Sequence, residues 1–242
     1  MYDREMVSRA ILSPFISFLE ENLVEKELVD GFKEGVRSII VAPGQVPLLK
    51  RVQREHGNGY TRVGMVDGYP YGGFSTATKV NLVKYALAHE LDEIDLGINI
   101  TAVCSGDFDA VKRDVAAVLE AAGGKLDVIP LVWVIRLPLE VVDKLCQVYV
   151  DLGIKRVKTS PGIHFGDMKV EHVEYLARHF GDKLGIEVAG RCRSREKAEA
   201  MTLAGAESFH ISQWRRIGGI GYDIQFDYDA KRADYAAYQD RL

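Results

Sequence analysis

The stretch IKRVKTSPG, residues 154–162, follows a helix-like run that ends at Gly153 and joins a short β-prone segment to a turn. Lys158 stands at the end of that segment, where a strand buried between helices would place its side chain in the interior. A buried ammonium without a partner costs several kcal/mol, whereas a neutral amine is a nucleophile towards carbonyls. The stretch therefore predicts either a Schiff-base lysine or a strand-end lysine whose ammonium reaches water.

Strand-like and helix-like segments alternate on both sides of this stretch, with short turns between them. Apolar or β-prone runs predict strands over residues 10–12, 36–41, 61–66, 93–100, 126–135, 156–159, 185–189 and 207–212. Helical spacing of apolar residues predicts helices over residues 25–34, 46–55, 108–121, 138–152, 169–180 and 229–240, with two more after the N-caps Ser75 and Ser194. About eight β/α units without a linker favour one closed (β/α)8 TIM barrel, a single domain over residues 1–242, rather than an open doubly wound sheet.

The composition has the balance of an ordinary soluble protein and indicates neither a nucleic-acid nor a membrane surface. Hydrophobic residues make up 47% of the chain, charged residues 27%, and the net charge is −4, which gives no basic surface for nucleic acid. No apolar run approaches the roughly 20 residues of a membrane span. The three cysteines are odd in number and widely spaced, which suits a reducing cytoplasm better than a disulfide framework. We therefore expect a cytoplasmic protein without nucleic-acid or membrane partners.

Four side chains on the predicted strands can carry chemistry: Lys158, Asp95, Glu187 and His210. In a β/α barrel, reactive side chains project from the C-terminal ends of the strands. Schiff-base aldol chemistry needs an amine and an acid/base group that moves protons. Asp95 can serve as that group, or it can be a salt-bridge partner inside the barrel. No set of His, Asp and Glu residues has the spacing of a metal site, so we expect neither a metal nor another cofactor.

Residues 157–162, V-K-T-S-P-G, resemble the V-K-T-S-T-G segment of the deoxyribose-phosphate aldolase family, in which the lysine forms an imine. Three further segments match that family in the same order: residues 68–72 (its G-F-P-L-G), 93–100 (its E-I-D-M-V-I-N-I) and 121–126 (its A-A-G-G-K-L). The resemblance implies a metal-independent carbon–carbon lyase of the class I, Schiff-base kind. It further implies that Lys158 is the nucleophile and that Asp95 is its proton-transfer partner.

The chain departs from that family at its second strand lysine. The family's G-V-K-A-S-G-G-I-R-T reads G-I-E-V-A-G-R-C-R-S here, so Glu187 replaces the lysine. In the family the second cation favours the neutral imine lysine, and a carboxylate should instead favour the ammonium form of Lys158. Three explanations stay open. Glu187 is protonated and acts as an acid, catalysis is weak or lost, or another cation compensates: Arg191, Arg193 or Arg136.

The phosphate end of the family's site has changed as well. The family's G-G after strand seven is Gly190-Arg191 here, and its G-T-S-S-G-like turn is replaced by H-I-S-Q-W, residues 210–214. A guanidinium suits phosphate or carboxylate, so an anionic substrate group stays plausible without a 5-phosphate being required. We expect a small carbonyl compound or sugar, phosphorylated or not, and a homo-oligomer. The expected substrate-binding residues are Arg191, Arg193, Ser212, Thr159 and His210.

Two other functions fit the same residues. The first is a Schiff-base or acid/base enzyme of another class, such as a transaldolase or dehydratase, that uses Glu187. The second is a non-catalytic relative that binds a ligand. An imine trapped on Lys158 would support an enzyme, and ligand binding without an adduct would support the non-catalytic relative.

Overall fold

The computed structural model describes residues 1–14, 20–68, 71–162, 166–211 and 214–221. Its eight strands form one parallel sheet with the order β5-β4-β3-β2-β1-β8-β7-β6. An isolated bridge between Leu131 and Lys158 joins the ends of β5 and β6 and closes the sheet into a barrel. The predicted (β/α)8 TIM barrel is therefore confirmed. The strands are β1 Ala10–Leu12, β2 Ser38–Val41, β3 Arg62–Val66, β4 Glu93–Leu96, β5 Asp127–Pro130, β6 Arg156–Lys158, β7 Gly185–Ala189 and β8 Ser208–His210.

Helices connect consecutive strands and cover the outside of the barrel, where most of the apolar core lies. Two of the predicted N-caps are confirmed. The Ser75 hydroxyl accepts from the backbone N–H of Thr78, and the Ser194 hydroxyl accepts from that of Lys197. The helices are α1 Arg4–Arg9, α2 Glu21–Glu34, α3 Val46–His56, α4 Thr76–Ala88, α5 Ile100–Cys104, α6 Phe108–Ala122, α7 Leu139–Asp151, α8 Val170–Phe180, α9 Arg195–Leu203 and α10 Trp214–Ile217.

Strands β6 and β8 end one and two residues earlier than the sequence predicts, and β4 and β5 end four and five residues earlier. The strand predicted over residues 93–100 stops at Leu96, because the Asn99 side chain accepts from Ala102 N–H and caps the short helix α5. The strand predicted over residues 126–135 stops at Pro130, and Trp133 then adopts a φ of 54°, which no strand residue has.

The helix boundaries differ in smaller ways. Helix α2 begins at Glu21, four residues before its predicted start, and the short helices α1 and α10 were not predicted. The helix predicted over residues 229–240 lies outside the described residues. Within the described ranges, no helix is both long enough and apolar enough to cross a bilayer.

The N-terminal end of the barrel is closed by a network of charges around Glu93. The Glu93 carboxylate accepts from Arg156 Nη2 at 2.7 Å and Arg62 Nε at 3.2 Å, and it also accepts from the Ser38 hydroxyl. Burial alone would raise the pKa of Glu93, but Arg156, Ser38 and Arg62 outweigh it and hold that pKa below its ordinary value. A ligand must therefore enter from the opposite, C-terminal end of the strands.

Candidate active site

Lys158 and Asp95 meet inside the barrel. Lys158 ends β6 and Asp95 lies on β4, and the Lys158 ammonium donates to Asp95 Oδ2 at 2.6 Å. Because β5 lies between these two strands, the contact crosses the barrel interior rather than following its wall. Both residues are almost completely buried, at 1% and 2% exposure. The sequence predicts either a Schiff-base lysine or a strand-end lysine whose ammonium reaches water. The structure places the Lys158 side chain in the interior, with a carboxylate partner.

Glu187 and His210 complete the same cluster. The strand register pairs Lys158 with Glu187, so the two side chains lie next to each other on β6 and β7. His210 Nδ1 lies 2.9 Å from Glu187 Oε1 and 3.4 Å from Asp95 Oδ2. Its other ring nitrogen, Nε2, lies 3.4 Å from Lys158 Nζ. The imidazole therefore touches all three of the other ionisable groups.

The surroundings of His210 fix its protonation and its tautomer. Burial, followed by the charge of Lys158, lowers the pKa of His210 to about 3, so the ring is neutral at physiological pH. A neutral ring carries one N–H, and Nδ1 carries it because Nδ1 faces the two carboxylates. Nε2 is then an acceptor with a single lone pair, which the Ser13 hydroxyl and the Lys158 ammonium both face.

Two buried carboxylates lie near one buried ammonium, which contacts Asp95 directly. Burial raises the pKa of Glu187 to about 7, against the opposing charge of Lys158. Burial also raises the pKa of Asp95, with Lys158 opposing the rise and Glu187 adding to it. Among the described residues, Asp95 Oδ1 and Glu187 Oε2 have no hydrogen-bond partner. One proton held by either carboxylate removes the excess negative charge, and the raised pKa of Glu187 favours the explanation in which Glu187 is protonated.

The other predicted site residues are less closely involved. The Thr159 hydroxyl donates to the backbone oxygen of Ala189 at 3.1 Å and accepts from its N–H at 2.9 Å, so it ties β6 to β7. Arg191 follows β7, is exposed, and lies 3.6 Å from Asp167 Oδ1. Arg193 is exposed in the same loop. Ser212 lies outside the described residues, so its predicted substrate contact stays a prediction.

Ser13 is a site residue that sequence reasoning missed. It follows β1, it is 1% exposed, and its hydroxyl donates to His210 Nε2. The alternation of side-chain direction along β1 is a signal that could have identified Ser13. Ile11 faces the barrel interior together with Ile40 and Val66, and a residue two positions further along the chain faces the same side.

Three residues lie close enough together to bind a metal ion, although the spacing of His, Asp and Glu along the sequence predicts no metal site. Asp95, Glu187 and His210 each place one ligand atom within 4.8 Å of the others. The sequence does not reveal this set because its members come from three different strands. The Lys158 ammonium already lies against Asp95 in this cluster, so a divalent ion would have to displace it.

Comparisons with known proteins agree with this architecture, although no family model matches the chain. The deoxyribose-phosphate aldolase of Thermococcus gammatolerans is 35% identical over 191 residues, which cover 78% of this chain and 84% of the relative. That of Clostridium novyi is 37% identical over 148 residues, 61% and 67% of the two chains. The tetrameric deoxyribose phosphate aldolase of Aeropyrum pernix superposes with a TM-score of 0.81 at 19% identity, covering 90% of this chain and 91% of the other, and supports the fold. The chain therefore belongs to the deoxyribose-phosphate aldolase family of class I aldolases.

Proposed function

We propose that Lys158 is the imine-forming nucleophile of this aldolase and that Asp95, Glu187 and His210 move protons to and from it. The observation that carries the proposal is the buried contact of 2.6 Å between Lys158 Nζ and Asp95 Oδ2. An interior amine held against a carboxylate, with a neutral imidazole beside both, supplies the nucleophile and the acid/base groups that imine chemistry needs.

The proposed reaction requires neither a metal nor a redox partner. The neutral amine of Lys158 attacks the carbonyl carbon of the substrate, and the carbonyl oxygen leaves as water, which gives an iminium. A base then removes the proton of the β-hydroxyl, the bond between the α and β carbons breaks, and an aldehyde departs. The electron pair of that bond forms an enamine. Protonation of the enamine carbon and hydrolysis release the second carbonyl compound and regenerate the amine.

The contacts assign a task to each group. Asp95 accepts the proton that Lys158 loses, because its Oδ2 is the nearest acceptor to Nζ. The neutral His210 accepts at Nε2 and donates at Nδ1, so it passes protons between Lys158 and Glu187. Glu187, with a pKa of about 7, is partly protonated at neutral pH. It therefore carries less of the negative charge that would otherwise favour the ammonium form of Lys158.

The substrate is a small β-hydroxy carbonyl compound, phosphorylated or not. The curated relatives are named for deoxyribose phosphate. Arg191 already lies beside Asp167, so the side chain that replaces the family's glycine is engaged with a carboxylate. One solved neighbour is tetrameric, which supports a homo-oligomer for this chain. The contact between His210 and Glu187 makes a dehydratase, which needs a strong acid/base pair, the second candidate.

Borohydride trapping tests the proposal. The protein is incubated with acetaldehyde, pyruvate or dihydroxyacetone in the presence of EDTA, reduced, digested and analysed by mass spectrometry. We expect a reduced adduct on Lys158, retained when the exposed Lys155 is changed to methionine and absent when Lys158 is changed to methionine. A product that has lost water without carbon–carbon cleavage would favour the dehydratase. Ligand binding without any adduct on Lys158 would contradict the proposal, and loss of the adduct in EDTA would contradict metal independence.

A further inference from the structure

Two aromatic side chains form a pair at the C-terminal end of the barrel. Tyr71 lies in the connection after β3, and Trp133 lies in the connection after β5. Their ring centroids are 6.2 Å apart and the ring planes differ by 19°, which is a stacked arrangement. In a parallel barrel, both connections lie at the end where the active site forms.

Backbone hydrogen bonds hold Trp133 beside the nucleophile. Val132 N–H donates to the carbonyl of Lys158 at 2.9 Å, and Val134 N–H donates to that of Thr159 at 3.1 Å. Trp133 stands between these two anchors with a φ of 54°, a conformation that bulky residues rarely adopt. The backbone on both sides of the indole is therefore fixed against the end of β6, next to the amine that forms the imine.

Tyr71 is held close to Asp95, the proposed proton-transfer partner of Lys158. The next residue, Gly72, packs so closely against Gly97 and Ile98 that an added Cβ would collide with their backbone. Gly97 comes two residues after Asp95, so this connection rests on the end of β4. The Tyr71 ring is 57% exposed whereas Trp133 is 4% exposed, so Tyr71 presents most of its surface to solvent at the barrel mouth.

The connection after β3 is aromatic and carries no basic residue. Between Asp67 and Lys79 the sequence contains no lysine or arginine, and it contributes a second exposed aromatic, Phe74, at 48% exposure. The arginine nearest to Trp133 in sequence is Arg136, which is exposed in the connection after β5 and donates its backbone N–H to the Trp133 carbonyl at 2.9 Å, while Arg191 and Arg193 follow β7. Two stacked aromatic side chains offer a flat apolar surface, which favours a flat apolar group.

We infer that Tyr71 and Trp133 form a subsite for a planar apolar group, aryl or heteroaryl, on the aldehyde half of the aldol. This inference rests on the proposed role of Lys158. The donor half is attached to Lys158 Nζ, which points across the barrel to Asp95 on β4. The connections after β3 and β5 flank that strand, so the half that departs as an aldehyde lies beside the aromatic pair. A substrate of this class is a 3-aryl-3-hydroxypropanal, which splits into an aryl aldehyde and acetaldehyde.

The test compares two acceptor aldehydes, benzaldehyde and glyceraldehyde 3-phosphate, with acetaldehyde as the donor. We expect kcat/KM to be higher for benzaldehyde. We expect Tyr71→Leu and Trp133→Leu each to raise the KM for benzaldehyde by about 10-fold, since stacking and burial of one ring contribute about that much to binding. Tyr60→Leu is the matched control, because Tyr60 is 54% exposed but precedes β3 at the other end of the barrel.

Trapping of acetaldehyde on Lys158 is measured in every variant and separates this inference from the proposed function. Intact trapping with an unchanged KM for benzaldehyde in Tyr71→Leu would overturn the aromatic subsite alone. So would a parent enzyme that prefers the phosphorylated acceptor. Absence of trapping in the parent protein would overturn the Lys158 assignment and the subsite with it. Tyr71→Leu keeps the test valid if the buried Trp133→Leu variant fails to fold.

Discussion

At the residue scale, the proposed chemistry depends on a single ammonium in a cluster with two carboxylates and a neutral imidazole. Lys158 donates to Asp95, while His210 lies between Lys158 and Glu187. The family uses a second lysine near its imine lysine, and this chain has the pair Glu187 and His210 there instead. The Glu187 carboxyl has a pKa of about 7 and can therefore hold a proton and be uncharged. An uncharged Glu187 does not favour the ammonium form of Lys158, so no second cation is needed to oppose it.

Asp95→Asn is expected to slow turnover by ~10²–10⁴-fold, the usual contribution of one acid/base group. An amide cannot take the proton that Lys158 loses, although it preserves the size of the side chain. The measurement is kcat for aldol cleavage, with Asp127→Asn as the control, because Asp127 lies at the opposite end of the barrel and its side chain is 59% exposed. A variant within a factor of about three of the parent would make Asp95 a structural ion-pair partner only.

Glu187→Gln is expected to remove the titration near pH 7 from the dependence of kcat/KM on pH. In the parent, Glu187 is protonated below about pH 7 and becomes charged as the pH rises through that value. The charged form favours the ammonium of Lys158, so the parental rate should change in this range, whereas glutamine cannot titrate. The control is Glu207→Gln, an exposed carboxylate that precedes β8. If the transition near pH 7 persists in Glu187→Gln, it belongs to another group.

At the element scale, the sequence predicts which segments form strands but not where each strand ends. Apolar or β-prone runs are local signals in the sequence, and all eight strands were predicted from them. Strands β4 and β5 end early because of Asn99, which caps a helix, and Trp133, whose backbone turns at positive φ. Neither event changes the pattern of apolar residues. The resemblance to the family also favours extending β4, since the matching segment runs without interruption to residue 100.

The same limit applies to the candidate site. Lys158, Asp95, Glu187 and His210 were found as polar residues on predicted strands, but their distances depend on how the barrel closes. The contact between β4 and β6 crosses the interior, so no spacing along the chain encodes it. Thr159 shows the reverse case. It follows Lys158 in sequence, yet its hydroxyl bonds to the neighbouring strand rather than opening towards a substrate.

At the scale of the whole molecule, the two ends of the barrel carry different arrangements of charge. The C-terminal end holds Glu187, a carboxyl group whose pKa burial raises to about 7, so it is partly protonated at neutral pH. The N-terminal end holds Glu93, which is ionised and hydrogen-bonded to Arg156 and Arg62. Because β3, β4 and β6 all contribute to this network, it links strands from both halves of the chain. Stability should therefore depend on it more than on the active site.

Glu93→Gln is expected to destabilise the fold by about 3–5 kcal/mol at pH 7, since it removes the buried carboxylate and leaves Arg156 with the more distant, exposed Asp127. The folded-state pKa of Glu93 lies below its ordinary value of 4.5. Its contribution is therefore present above pH 4.5 and is lost as the pH falls through the folded-state pKa. The free energy of unfolding in urea is measured at pH 7 and at decreasing pH below 4.5, and the difference between parent and variant should shrink on acidification.

Asp127→Asn provides the matched control for this network, because Asp127 contacts the same two arginines from the solvent side. Its carboxylate lies 2.8 Å from Arg62 Nη2 and 3.7 Å from Arg156 Nη2, with 59% of its side chain exposed. An exposed pair contributes at most about 1 kcal/mol, so this variant should unfold almost as the parent does. Two results would show that the buried position of Glu93 gives it no special role in closing the barrel. One is an equal loss of stability in the two variants, and the other is a Glu93→Gln difference that does not depend on pH.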